Sequence, residues 1–209
     1  MQFDKAFQAW LYEAVQQIEK KSAVEMMVVI APHSGQYPEA ALRGGLVVAL
    51  LTFTFLLFVE HLYFGDFLLF LLTLTSFLMG YLLVHNELRL KSFFTTRKNK
   101  RIQAELRARA TFQKVGIHHT RAETGVLVYI SIFEKSVHIL PDRYVQSVIP
   151  QSIWQKMQEE LNQVFTSKNP RQLILTALDN VKGDFAYYLP IQSDDVNELP
   201  ETIDNNLFE

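Results

Sequence analysis

The best polar constellation in this 209-residue chain is His118-His119-Thr120-Arg121-Ala122-Glu123, joined by Asp142 further on. Adjacent imidazoles in a loop can share a metal ion, although familiar zinc sites space their ligands more widely along a helix or hairpin. The competing reading of His118 and His119 is a loop imidazole or a cap on backbone carbonyls. Arg121 offers a guanidinium fork that matches a phosphate or another anion; its alternative is a structural ion pair with Glu123 or Asp142. Asp142 follows one short β-rich run, and Thr124-Gly125 open another. If those runs pair antiparallel, Asp142 lies at the same end of the sheet as His118 to Glu123. A hard divalent cation there would need about six oxygen ligands. Asp142, Glu123, Asp194 and Asp195 supply some of them, and the other reading is a solvated acidic rim.

Other chemistries are excluded more firmly. The chain has no cysteine, which removes thiolate catalysis, disulfides and Cys-ligated metals. It has no Gly-rich phosphate loop, serine elbow, HExxH or paired catalytic carboxylates. Ser34 has His33 beside it, but sequence neighbours do not make a nucleophile and its base. No catalytic residue is assigned, and the balance of the sequence is against an enzyme.

The elements that must position these residues fall into two kinds. Nearly all excess apolarity lies between Gly44 and Val84, broken by Val59-Glu-His-Leu-Tyr-Phe-Gly-Asp-Phe67. One helix through the whole run would be about 60 Å long, twice the hydrocarbon thickness of a bilayer. Gly65-Asp66 is the turn signal, so the run predicts two membrane-spanning helices with an acidic elbow. Arg43 precedes the first, and Arg89, Lys91, Arg97, Lys98, Lys100 and Arg101 follow the second. The elbow carries no Lys or Arg, which predicts a multi-pass inner-membrane protein with both termini and the polar domain cytoplasmic. A buried hairpin of a soluble protein is the alternative. Arg97, Lys98, Lys100 and Arg101 would face anionic lipid, each attracted by about 1 kcal/mol near the surface. The net charge of −2 and the lack of aromatics within that basic run argue against nucleic acid.

Both flanks read as soluble sequence. Phe3, Phe7, Trp10, Leu11, Ala14 and Ile18 recur at helical spacing, and residues 24–30 read as a buried strand. Pro38 opens a helix leading toward the apolar run. Beyond it, residues 85–115 are helical with a break near Thr95-Thr96 and a stop at Gly116. Strands at 124–132 and 136–140 form a hairpin, followed by helices from Pro150 to Phe165 and from Asn169 to Val181, closed by Gly183. One strand ahead of the apolar run cannot bury a core alone. The expectation is one α/β domain cut in two: residues 1–43, a transmembrane hairpin at 44–84, residues 85–203, and a tail at 204–209. The first two strands would be parallel and the third antiparallel to the second.

Three patches resemble the TPM domain family, and most closely its short bacterial membrane-protein branch: VEMMVVIAPHSGQYPEAAL (24–42), RARATFQKVGIHHTRAETGVLVYISIFEKSVHILPDR (107–143) and DDVNELPE (194–201). The resemblance implies an α/β/α sandwich, here interrupted by the helical hairpin. Family members range from proteins with acid-phosphatase-like activity to factors that assist photosystem repair or modulate receptors. This chain departs from the pattern in its inferred cytoplasmic side and in Tyr144, where relatives often have a glycine. A specified fold without a recognisable catalytic set points to a membrane-anchored interaction or assembly module acting on another membrane protein or complex. The alternative is a metal-dependent phosphatase for phosphomonoesters, and a lipid-surface sensor built on residues 97–101 is a third. Membrane lipid is a partner in each. No cofactor is assigned beyond a divalent cation in the phosphatase reading.

Overall fold

The computed structural model describes residues 5–58, 65–117 and 123–191, and shows a mixed α/β chain, mostly helical, around a three-stranded sheet. The elements are α1 (Lys5–Glu19), β1 (Glu25–Ala31), α2 (Pro38–Phe58), α3 (Asp66–Asn86), α4 (Leu88–Phe94), α5 (Arg97–Val115), β2 (Gly125–Ser131), β3 (Ser136–Pro141), α6 (Arg143–Val148), α7 (Gln151–Asn162, followed by a short 3-10 turn to Phe165) and α8 (Pro170–Tyr188). The chain forms two compact units. One combines the segment up to Ser34 with everything from Arg101 onward, and the other is Gly35–Lys100. The helical unit extends beyond the 44–84 apolar run because α2 begins at Pro38 and α4 packs on both α2 and α3.

In the first unit the sheet order is β1-β2-β3. β1 and β2 run parallel, with Glu25 opposite Gly125 and Ala31 opposite Ser131; β2 and β3 run antiparallel, with Val126 opposite Pro141. Alternation along the strands sends side chains to both faces, and both faces are covered. Met26, Val28, Val126, Val128, Ile130 and Val137 pack with Phe7, Leu11 and Ile18 of α1, Trp154, Met157 and Leu161 of α7, and Ile174, Leu178 and Phe185 of α8. Met27, Val29, Leu127 and Tyr129 face Ala108 and Phe112 of α5 and Ile117. Ala104, Ala108 and Thr111 are the buried residues of α5, and their small side chains let it approach closely. α5 ends before Gly116, whose φ of 77° suits the left-handed position that stops a helix.

The outer edges of the sheet are partly blunted. On β1 the outward N–H of Met26 donates to Glu19 Oε1 at 3.2 Å. On β3 the outward carbonyl of Val137 accepts from Gln158 Nε2 at 3.0 Å, and Pro141 has no N–H to offer. Ala23 N donates to Leu189 O at 2.9 Å and Ser22 pairs with Pro190, tying the end of α8 to the approach to β1.

One expectation needs correction, and one element is additional to those expected. α8 runs through Gly183 to Tyr188, because the tertiary burial of Phe185 outweighs the weak helix propensity of one glycine. α6 was not anticipated; Asp142 nucleates it as its N-cap.

In the second unit α2 and α3 lie side by side, antiparallel, along a seam of small residues. A Cβ on Gly44 would sit 2.3 Å from Val84 Cγ2, and one on Gly80 would sit 2.7 Å from Val48 Cβ. Only glycine permits that approach. Both helices are 21 residues long and apolar enough to cross a bilayer. The elbow residues Val59 to Phe64, with Glu60 and His61, lie outside the described residues; Gly65 is the N-cap of α3 and Asp66 its first-turn acid.

Candidate functional site

The carboxyl end of the parallel pair β1/β2 is where open α/β sheets commonly bind ligands. Here it carries a cluster of polar side chains that strand patterning alone does not announce. Beyond β1 the chain continues to Ser34, while β2 runs through Tyr129 and Ser131 into the turn at Glu134. Ile132 N donates to Ala31 O at 2.9 Å and Phe133 N to Pro32 O at 3.0 Å, so the turn is stitched to the segment leaving β1. Glu134 completes the joint. Its Oε1 accepts the Ser34 N–H at 2.8 Å, and its Oε2 accepts a short hydrogen bond from Ser131 Oγ. Ser34 Oγ lies 2.7 Å from Ser131 Oγ and 3.0 Å from Tyr129 Oη. Tyr129, Ser131 and Glu134 are buried. Burial pushes the Tyr129 phenol above its ordinary range, against the lowering effects of Ser34 and Arg107, so it stays protonated and able to donate. The hydroxyls and the carboxylate spend their bonds on one another. The cluster acts as a latch between two segments a hundred residues apart, at the point where the chain leaves the sheet for the helical unit. Ser131 and Glu134, three residues apart across a hairpin turn after an apolar strand, were the available sequence signal.

The opposite end of the sheet holds the sequence candidates. Asp142 N donates to Gly125 O at 2.8 Å, so Asp142 and Thr124-Gly125 do meet at one end. Asp142 Oδ1 accepts from Arg143 N at 2.7 Å, which makes it the cap of α6, and Oδ2 is buried with no hydrogen-bond partner among the described residues. Glu123 is exposed, in the left-handed region at φ 53°. His118, His119, Arg121, Asp194 and Asp195 lie outside the described residues. Among the described residues no three His, Asp or Glu side chains converge as a metal-binding group. A cleft of about 250 Å³ opens where α1 meets the start of β1, lined by Gln16, Glu19, Lys20, Ser22, Glu25 and Ile191.

Two further polar features flank α5. His138 of β3 is partly buried, and its pKa is lowered, first by that burial and then by Arg101 and Arg109, with Glu105 opposing. Arg97, Lys98 and Arg101 are exposed, whereas Lys100 Nζ donates to Ser92 O at 2.8 Å and to Ser92 Oγ at 2.6 Å. The basic run is thus three exposed cations and one that fastens α4.

Comparison with known proteins adds to this geometry. Residues 92–183 match the model of the TPM domain family. The fold is similar to the NMR structure of the BA42 protein from the psychrophilic bacterium Bizionia argentinensis, at a TM-score of 0.59 over 97% of this chain and 94% of that one. The two share 16% sequence identity, so the likeness is one of fold. No curated protein matches the chain.

Proposed function

We propose that this chain, whose residues 92–183 match the TPM domain family, is a membrane-anchored interaction module, in which α2 and α3 cross the bilayer and the α/β unit engages another membrane protein or complex. The observation that carries the reading is the outward surface of α2 and α3. Leu51, Phe55 and Phe58 on α2 and Phe67, Phe70 and Met79 on α3 are exposed, Phe58 and Phe67 by nearly four-fifths of their surface (79% and 78%). A buried helix of a soluble core would hide such side chains; water would leave them at a cost of about 25 cal/mol per Å² of apolar area. The polar groups of α3 agree with apolar surroundings. Thr73 Oγ1 donates to Leu69 O at 2.9 Å, Thr75 Oγ1 to Leu71 O at 3.0 Å and Ser76 Oγ to Thr73 O at 2.8 Å. Each hydroxyl is satisfied by its own helix, as lipid demands.

Orientation follows from charge. Arg43, Arg89, Lys91, Arg97 and Lys98 lie outside the apolar core at one end of the hairpin, which supports cytoplasmic termini at the inner membrane. Carbonate extraction of membranes should leave the protein in the pellet, and reporter fusions at either terminus should read cytoplasmic. Release by carbonate would overturn the anchor. Photo-crosslinking in native membranes should give a defined protein partner, and a diffuse ladder would count against the interaction role.

The rival is metal-dependent hydrolysis of phosphomonoesters centred on Asp142, whose buried Oδ2 is the observation in its favour. A divalent cation would there draw on Asp142 and Glu123, with Asp194, Asp195, His118 and His119 as further candidates and Arg121 holding the anion. That reading requires phosphatase turnover by the purified protein with Mg²⁺, Ca²⁺ or Zn²⁺, lost in Asp142→Asn. No turnover with any of the three removes it.

A further inference from the structure

We propose that α4 is an interfacial helix that seats Leu88, Leu90 and Phe93 in the headgroup region of an anionic bilayer, with Arg89, Lys91, Arg97 and Lys98 among the lipid phosphates. The inference rests on the reading that α2 and α3 span the membrane, and extends it to a specific lipid chemistry.

The backbone sets the helix apart from the spans. α3 ends at Asn86, and Glu87 is extended (φ −95°, ψ 107°) while its N–H still bonds Leu83 O at 3.1 Å. The same residue starts α4, its carbonyl accepting Lys91 N at 2.9 Å, and α4 ends at Thr95, again extended. A seven-residue helix has too few internal bonds to persist alone in water. This one is fastened at its C-terminal end. Arg43 Nη1 donates to Phe94 O at 3.0 Å, Lys100 Nζ to Ser92 O at 2.8 Å and Thr95 Oγ1 to Lys91 O at 2.7 Å. Asn99 also makes a short hydrogen bond to Glu39 in the first turn of α2. The last carbonyls of α4 are therefore met by cations and a hydroxyl, and the helix is held beside the ends of α2 and α3 where the apolar surface stops.

What this anchoring leaves outward is Arg89 flanked by apolar side chains. Phe93 is 82% exposed, and Leu88 and Leu90 are exposed with it. Between Leu88 and Lys98 stand four cations and no carboxylate. Arg89, Arg97 and Lys98 are exposed. Aliphatic and aromatic groups interleaved with cations, one residue from the end of a spanning helix, match an interface of acyl chains below and phosphates above. A protein partner would have to supply acidic groups over an apolar ledge flush with the bilayer. The continuity of this ledge with the lipid-facing surface of α3 favours lipid.

The chain has no cysteine, so single cysteines can be labelled cleanly with the environment-sensitive dye NBD in the full-length protein. Phe93→Cys is compared with Phe55→Cys on α2 and Tyr187→Cys on α8, in vesicles of phosphatidylcholine with and without phosphatidylglycerol. Leu90→Cys serves as the second site should Phe93→Cys not fold. The label at 93 should be blue-shifted, shielded from iodide and quenched by shallow nitroxide lipid. That shielding should be greater with phosphatidylglycerol and reduced in the Arg89→Gln, Lys91→Gln, Arg97→Gln, Lys98→Gln variant. The label at 55 should be quenched by deep nitroxide lipid, and that at 187 should be open to iodide. If 93 is as open to iodide as 187 while 55 reports lipid, the interfacial role is overturned and the membrane anchor stands. If 55 is also open, the anchor itself fails. Shielding at 93 without nitroxide quenching means protein covers it, and equal shielding without phosphatidylglycerol removes the anionic preference; either result overturns the proposal.

Discussion

Glu134 shows how much one side chain decides at the residue scale. It is almost fully buried and accepts from both the Ser34 amide and the Ser131 hydroxyl. Glu134→Ala strands both donors, and a buried donor without an acceptor costs about 1–3 kcal/mol. Denaturation of the full chain in detergent should register a loss of that order, with Glu134→Gln falling between the variant and the parent. An unchanged midpoint would mean that the latch is incidental. His138 gives a pH-dependent counterpart. Burial lowers its folded-state pKa, so the unfolded chain takes up the proton first as the pH falls. Stability should decline through the ordinary histidine range, near about pH 6.5, and level off once the folded form protonates as well. His138→Gln should flatten that part of the profile relative to the parent. Equal slopes between pH 7.5 and 5.5 would contradict the assignment.

The two glycine environments in the helices make opposite predictions for the elements. Gly80 faces α2 so closely that any side chain meets Val48 and the Gly44 carbonyl, the latter at 3.2 Å from an added Cβ. Gly80→Leu should separate α2 from α3 and lower the thermal midpoint of the protein in detergent. Gly183 lies inside α8 with nothing within 4 Å of an added Cβ. Gly183→Ala should therefore stabilise the chain by about 0.5–1 kcal/mol, since alanine gains helix propensity without a clash. A fall in stability would mean that the glycine serves something other than the helix.

At the scale of the molecule, the sheet joins β1 from before the helical unit to β2 and β3 from after it. A fragment from Arg97 onward keeps a two-stranded hairpin and loses β1 and α1, and such a hairpin is marginal alone. It should be protease-sensitive and lack a cooperative unfolding transition. Replacing residues 44–84 by a short linker should instead leave a folded, soluble α/β unit, because among the described residues its core clusters contain no side chain of the apolar run. Stable folding of the fragment, or collapse of the deletion, would show that the division of the core lies elsewhere.

Local patterns in the sequence were enough to reveal the two long apolar helices, the three strands and their pairing sense, the break at Thr95-Thr96 and the stop at Gly116, because hydrophobic period and turn chemistry are written in neighbouring residues. The role of Asp142 was half legible. Its place at the Thr124-Gly125 end followed from antiparallel pairing, but its work as the cap of α6 depends on a backbone turn that no spacing announces. The reach of Glu134 to Ser34, the Gln158 cap on Val137 and the fastening of α4 by Arg43 and Lys100 were not legible. These contacts join groups between 8 and 100 residues apart. Only the folded chain decides which distant donor reaches which acceptor, since one hydrogen bond demands a fit of tenths of an ångström and a hydrophobic stripe tolerates whole residues.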